Sequence, residues 1–243
     1  MAARIRLFAL IGLVASGCDW SQFRADPTHS GTQSLETAIN PGNVATLTTR
    51  WDASIAVSGT LNNGFSSAAV VKGITYIGSE NGDVYAFDAV GPSCTGLSPC
   101  APLWTAPTND AVTSSPAVAN GVVYISSHDG NLYAFDATGV TRCSGTPTTC
   151  APLWTAGAGP AVFSSPAVSA NVVYIGSEDG NLYAFDATGV TRCSGTPKVC
   201  TPLWTGRTTA GVFSSPALAN GLVYVASTDS HIYAFGLPTQ GSS

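Results

Sequence analysis

The stretch DGNLYAFDATGVTRCSGTP occurs at 129–147 and again, letter for letter, at 179–197. It is the most alike part of a longer recurrence. Aligning SSAAVVKGITYIGSENGDVYAFDA from Ser66, SSPAVANGVVYISSHDGNLYAFDA from Ser114, SSPAVSANVVYIGSEDGNLYAFDA from Ser164 and SSPALANGLVYVASTDSHIYAFG from Ser214 gives four units, spaced 48, 50 and 50 residues. That period belongs to solenoids and propellers, whose units bury their faces against one another. Within a unit, SSPAVAN, VVYIGS and NLYAFDA alternate as strands do, and Asp-Gly between the last two supplies the positive φ of a tight hairpin. PLWT follows as a fourth strand at Trp104, Trp154 and Trp204. Four strands make a propeller blade, so the expected fold is an all-β propeller of four four-stranded blades.

Strand counting also says how such a ring closes. The last unit ends at IYAFGLPTQGSS with no tryptophan strand, whereas a spare one, LTTRWDASIA around Trp51, precedes the first unit. An N-terminal outer strand that completes the last blade would pair two otherwise open edges and lock the ring. The alternative is half of an eight-bladed ring, a homodimer in which each chain's spare strand completes the other's last blade. Four units of about fifty residues place the propeller at 47–238, with a tail at 239–243.

The first residues have another purpose. Arg4 and Arg6 precede LFALIGLVA, a run too short to span a bilayer, and small residues follow, which is the layout of an export signal over 1–17. The run ends VASGC, which resembles the bacterial lipobox. That resemblance implies a lipid on Cys18, membrane anchoring of a protein facing the periplasm or cell exterior, and a lead-in over 18–46. Ala15 stands where lipoboxes usually carry Leu, so cleavage that leaves Cys18 a free thiol is the alternative. Of seven cysteines, six form local pairs, Cys94 with Cys100, Cys143 with Cys150 and Cys193 with Cys200. In an oxidising compartment these are expected as disulfides, each stabilising its loop by roughly 2–3 kcal/mol. Zinc binding is the weaker reading, because zinc sites combine two close pairs around one ion.

The repeated VVYIGSEDGNLYAFDATG…LWT is similar to the repeat of pyrroloquinoline-quinone-like propellers, and DWSQFRADPTHSGTQSLETAINPGNVATLTTRW resembles the segment that often opens bacterial proteins of that class. The resemblance implies either of two functions. One is that of a non-catalytic envelope lipoprotein of the BamB branch, which uses its propeller as a docking surface. The other is a quinone-dependent dehydrogenase, which holds its cofactor over the propeller axis on a tryptophan beside a calcium ion and a catalytic aspartate, in a ring of about twice as many blades. No adjacent cysteines of the enzymes' kind occur here, and the repeat tryptophans fall on the fourth strand, away from the axis.

Other chemistry leaves little trace. The chain has no G-x-S-x-G, H-E-x-x-H or glycine-rich phosphate loop. With a net charge of -5 and only 9 basic residues, unclustered, nucleic acid is not an expected partner. Glu80, Asp83, Asp129, Glu178, Asp179 and Asp229 fall in the turn between second and third strands, where a cation ring is conceivable but turn formation suffices. Asp88, Asp136 and Asp186 read as turn formers ahead of the cysteine loops. His128 and His231 read as solvated turn residues, and no cofactor or metal is expected. Two surfaces compete for an envelope protein or small ligand. One is the propeller mouth near Phe65, Phe163 and Phe213, where blade two carries Thr113 instead; the other is the set of cysteine loops.

Overall fold

The computed structural model describes residues 21–29, 38–55, 66–89 and 100–237. The expected signal segment, Cys18, Trp20, Phe65, Cys94 and the tail at 239–243 lie outside the described residues. The first unit supplies β1 (Ala69–Val71), β2 (Ile74–Gly78), β3 (Asp83–Asp88) and β4 (Trp104–Pro107). The second supplies β5 (Ala117–Ala119), β6 (Val122–Ser126) and β7 (Asn131–Asp136). A short hairpin follows, β8 (Cys143–Ser144) and β9 (Thr149–Cys150), and then β10 (Trp154–Gly157). The third repeats this as β11 (Ala167–Ser169), β12 (Val172–Gly176), β13 (Asn181–Asp186), the hairpin β14 (Cys193–Ser194) and β15 (Val199–Cys200), and β16 (Trp204–Arg207). The last comprises β17 (Ala217–Ala219), β18 (Leu222–Ala226) and β19 (Ile232–Gly236).

Successive strands pair antiparallel, as hairpin connections of this length require, and the register repeats from blade to blade. Tyr76 lies opposite Ala86 and Ala86 opposite Trp104. The same rows recur as Tyr124, Ala134, Trp154 and as Tyr174, Ala184, Trp204. The small alanine leaves room for the aromatic side chains that flank it. Along each third strand the alternate Tyr and Phe stack on one face, as Tyr133 does on Phe135 at 5.8 Å. The turn between second and third strands is tight enough to require glycine in blade two. Gly130 has φ +84, and a Cβ there would stand 2.0 Å from the Gly159 carbonyl oxygen of the loop leaving the fourth strand.

The tryptophans weld each blade to the next. Trp104 is buried, and its Nε1 donates to the Ala137 carbonyl of the following blade at 3.3 Å, an acceptor shared with the Tyr76 hydroxyl at 3.0 Å. Tyr124 makes the same bond to Ala187 at 2.8 Å. Nearer the axis the paired serines form a ladder. The Ser67 N–H donates to Ser115 Oγ, the Ser115 N–H to Ser165 Oγ and the Ser165 N–H to Ser215 Oγ, at 2.9, 2.9 and 3.1 Å. The angle between neighbouring blades is thus set by the same bonds at three junctions.

Two disulfides, Cys143–Cys150 and Cys193–Cys200, close the hairpins of the second and third units, and Cys100 is also disulfide-bonded. The hairpins are not free projections. β9 adds parallel to β4, the outer strand of the preceding blade, with Thr149 opposite Thr105; β15 adds likewise to β10. Each cysteine loop is therefore a clasp that covers the edge of its neighbour. Asp136 opens the clasp by accepting the N–H groups of Thr138, Val140 and Thr141, and Asp186 repeats this with Thr188, Val190 and Thr191. Both act as the expected turn formers.

Closure of the ring is not seen among the described residues. β19 pairs with β18 alone among the described residues, so the last sheet has three strands. The strand around Trp51 lies instead against the first blade. Its Nε1 donates to the Ala89 carbonyl at 3.0 Å, and Trp51, Ala53 and Ile55 pack on Tyr85, Phe87 and Cys100. Trp51 stands to blade one as Trp104 stands to blade two, which is the place of the outer strand of a blade preceding the first.

Candidate functional site

At one end of the propeller, the turns between second and third strands meet the loops that lead from each outer strand to the next inner one. The His128 N–H donates to the Ala111 carbonyl at 2.9 Å, and the Thr228 N–H donates to Gly211 in the same way at 2.9 Å. Phe163 and Phe213 stand in these loops. Their rings lie 5.3 Å apart, and they remain 37% and 42% exposed, so the contact leaves a face of each ring open. Phe65 of the same set lies outside the described residues.

Blade two completes the strip by another route. Thr113, where the other units have Phe, places its Oγ1 2.7 Å from His128 Nε2, and the imidazole packs 4.2 Å from the Phe163 ring. Burial lowers the His128 pKa, partly opposed by the carboxylates of Asp110 and Glu80. The imidazole is therefore neutral at pH 7, and His128, Phe163 and Phe213 form one uncharged aromatic row. Such a row suits apolar or aromatic side chains, which it would hold through area and stacking. His231 does not join it. Its Nδ1 stays within its own turn, 2.9 Å from the Asp229 carbonyl oxygen. Reading the residues one by one missed the role of His128, although Thr113 in a phenylalanine position marked the place where another ring was needed.

Three of the acidic turn residues accept donors of their own turns. Asp129 accepts the Tyr133 hydroxyl and the Asn131 N–H; Asp179 does so with Tyr183 and Asn181, and Asp229 with Tyr233 and His231. Burial and the Asp179 carboxylate together push the Tyr183 phenol up to about 12, which keeps it a donor. No cluster of three or more His, Cys, Asp or Glu side chains suited to a metal ion occurs among the described residues.

The lead-in crosses the inner strands of three blades, which sequence reading also missed. The Val118, Val168 and Leu218 N–H groups, at equivalent places on the inner strands of three blades, donate to Ser21 O, Gln22 Oε1 and Pro27 O, at 2.5, 3.1 and 2.7 Å. Gln22 is buried, and Phe23 meets His29 edge-on at 5.4 Å. Unpaired inner-strand donors along a channel need acceptors, and this segment supplies them.

Repeated antiparallel sheets, joined through tryptophans and crossed on their inner strands by the lead-in, define a β-propeller with pyrroloquinoline-quinone-like repeats. The chain belongs to the family of the outer membrane protein assembly factor BamB, whose model matches residues 33–193 and, overlapping, 146–239. No curated protein matches the sequence. Among solved structures, BamB from Moraxella catarrhalis is 20% identical with a TM-score of 0.50, over 67% of this chain and 42% of that one. The quinohemoprotein alcohol dehydrogenase from Comamonas testosteroni is 19% identical with a TM-score of 0.62, over 88% of this chain and 36% of that one. The computationally designed Ika4 protein is 15% identical with a TM-score of 0.53, over 74% of this chain and 95% of that one. The chain thus spans less than half the length of the BamB and dehydrogenase structures, and these likenesses describe the fold.

The described residues do not suit a quinone cofactor of the dehydrogenase kind. Trp51, Trp104, Trp154 and Trp204 lie in the layer between blades, where Trp51 and Trp104 donate to carbonyls of the adjoining blade, so none is a platform over the axis. The lead-in crosses the inner strands, and the carboxylates of Asp129, Asp179 and Asp229 are held by donors of their own turns.

Proposed function

We propose that the chain is a non-catalytic, lipid-anchored binding or scaffolding propeller of the bacterial cell envelope, exported by residues 1–17, tethered through Cys18 and presenting the propeller of 47–238 to an envelope protein. One observation carries this reading: an uncharged, half-exposed aromatic row, His128 with Phe163 and Phe213, contributed by three consecutive blades at one mouth. Exposed aromatic anchors on a rigid scaffold are what protein interfaces concentrate their binding energy in. Membership of the BamB family supports an envelope setting, and no helix among the described residues is long and apolar enough to cross a membrane.

The test is site-specific photo-crosslinking in intact envelopes with the probe at Phe213 or at Val140, an exposed tip of a cysteine clasp. A discrete adduct to one envelope protein from position 213, lost when Phe163 is replaced by Ser, is the expected result. Adducts from position 140 alone would move docking to the clasps and refute the mouth.

A further inference from the structure

The two ends of the blade array are complementary parts of one missing blade. At the N-terminal end, residues 51–55 are extended with alternating exposure, and the Asp52 carbonyl accepts the Cys100 N–H at 2.8 Å, as an outer strand held by its clasp. No inner strands stand beside it among the described residues. At the other end, β17, β18 and β19 are three inner strands without an outer one. The register of the other blades fixes how the parts would join. Ala86, Ala134 and Ala184 face Trp104, Trp154 and Trp204, so Ala234 would face Trp51 and Ile232 would face Ala53. Ala53 falls where the fully buried Ala106 and Ala156 stand, a place that admits only a small residue.

Exposure marks this edge as open among the described residues. Ile232 is 79% exposed, whereas its equivalents Val84, Leu132 and Leu182 are each at 0%. Leu182 is covered by Val212, Val223 and Val225 of the following blade, and Ile232 has no following blade among the described residues. The serine ladder points the same way. It ends in Ser67 Oγ at one side and the Ser215 N–H at the other, a matched acceptor and donor. Tyr224 stands where Tyr76 and Tyr124 donate to the next blade, and its counterpart acceptor is the Ala89 carbonyl, already joined by Trp51.

We propose that the occupant is a second copy of this chain. Two copies related by a two-fold axis form one closed eight-bladed ring, in which the strand around Trp51 of each completes the last blade of the other. Closure within one chain would have to bend three junctions whose bonds are already satisfied, and would bring four inner strands together where the lead-in now lies. A two-fold pair satisfies both open edges at once, leaving no edge for further growth.

The experiment uses the full chain carrying Cys18→Ser, which removes both lipid and free thiol. Ala53→Cys is placed on one tagged copy and Ile232→Cys on another, and the two are co-expressed in an oxidising compartment; a third chain carries both substitutions. The expected result is a covalent species of twice the single-chain mass, formed by the co-expressed pair and absent from either alone, with light scattering giving the same doubled mass for the Cys18→Ser chain. A bridge that forms only within the doubly substituted chain, at single-chain mass, would establish a four-bladed ring and overturn the proposal. Absence of any bridge, with a single-chain mass in solution, would overturn it in favour of a different occupant.

Discussion

Replacing Trp104 with alanine should cost far more than the same change at Trp204, although the two occupy the same place in the repeat. Trp104 is 2% exposed, lies 5.9 Å from the Tyr76 ring and fills the space above Gly139, where a Cβ would stand 2.3 Å from the indole. Truncating a tryptophan so buried costs about 3–5 kcal/mol. The Ala137 carbonyl keeps the Tyr76 hydroxyl, so no buried acceptor is orphaned. Trp204 is 43% exposed, because the last unit carries no cysteine clasp to cover it, and with about half the burial the loss is about 1–2 kcal/mol. For a chain of this size, each kcal/mol lowers Tm by about 2–4 °C, giving about 6–20 °C at Trp104 and about 2–8 °C at Trp204. Urea unfolding of the oxidised protein, with thermal melts beside it, measures both. Equal losses at the two sites would refute the account of the clasp as the cover of the tryptophan before it.

Removing the clasp itself, by Cys143→Ser with Cys150→Ser, should cost about 2–3 kcal/mol from the loop constraint and shift Trp104 fluorescence to the red, because the hairpin loosens from β4. Gly130→Ala should be more damaging than Gly121→Ala in the same unfolding assay. Both have positive φ, but a Cβ at Gly130 meets the Gly159 carbonyl and one at Gly121 meets open space, so the costs are about 2 kcal/mol or more against about 1. Burial would raise the Asp136 carboxyl, yet the donors from Thr141 and Thr138 outweigh it and hold the pKa at about 2; Asp186 is depressed in the same way. A carboxyl depressed on folding contributes stability that is full above its unfolded value near 3.8 and is lost as pH falls from there toward 2. Asp136→Asn should therefore be less stable at pH 7 and should flatten the loss of stability on acidification between pH 4 and 2.

The blades were legible because their signals are local and repeated. Period, strand alternation and turn residues occur four times, and the paired cysteines sit in one hairpin each. What escaped was every contact whose partner lies far along the chain. A two-residue strand such as β9 carries no periodicity to say which sheet it joins, and its partner β4 belongs to the preceding unit. Gln22 reaches Val168 across 146 positions through a single side-chain oxygen, which no pattern announces. The inner strand is also shorter than the alternation of SSPAVAN implied, only Ala117–Ala119 in blade two, because its serines turn to the neighbouring blade. His128 was legible as a turn residue and illegible as an aromatic one, since its role depends on the gap left by Thr113.

The central claim, an envelope-tethered propeller with oxidised clasps, is tested most directly by the intact mass of the mature protein from bacterial envelopes, before and after reduction. The account predicts a chain beginning at Cys18 with an acylglyceryl increment, and a gain on reduction of two hydrogens for each of three disulfides. A chain with no lipid and with free thiols at Cys143, Cys150, Cys193 and Cys200 would contradict it.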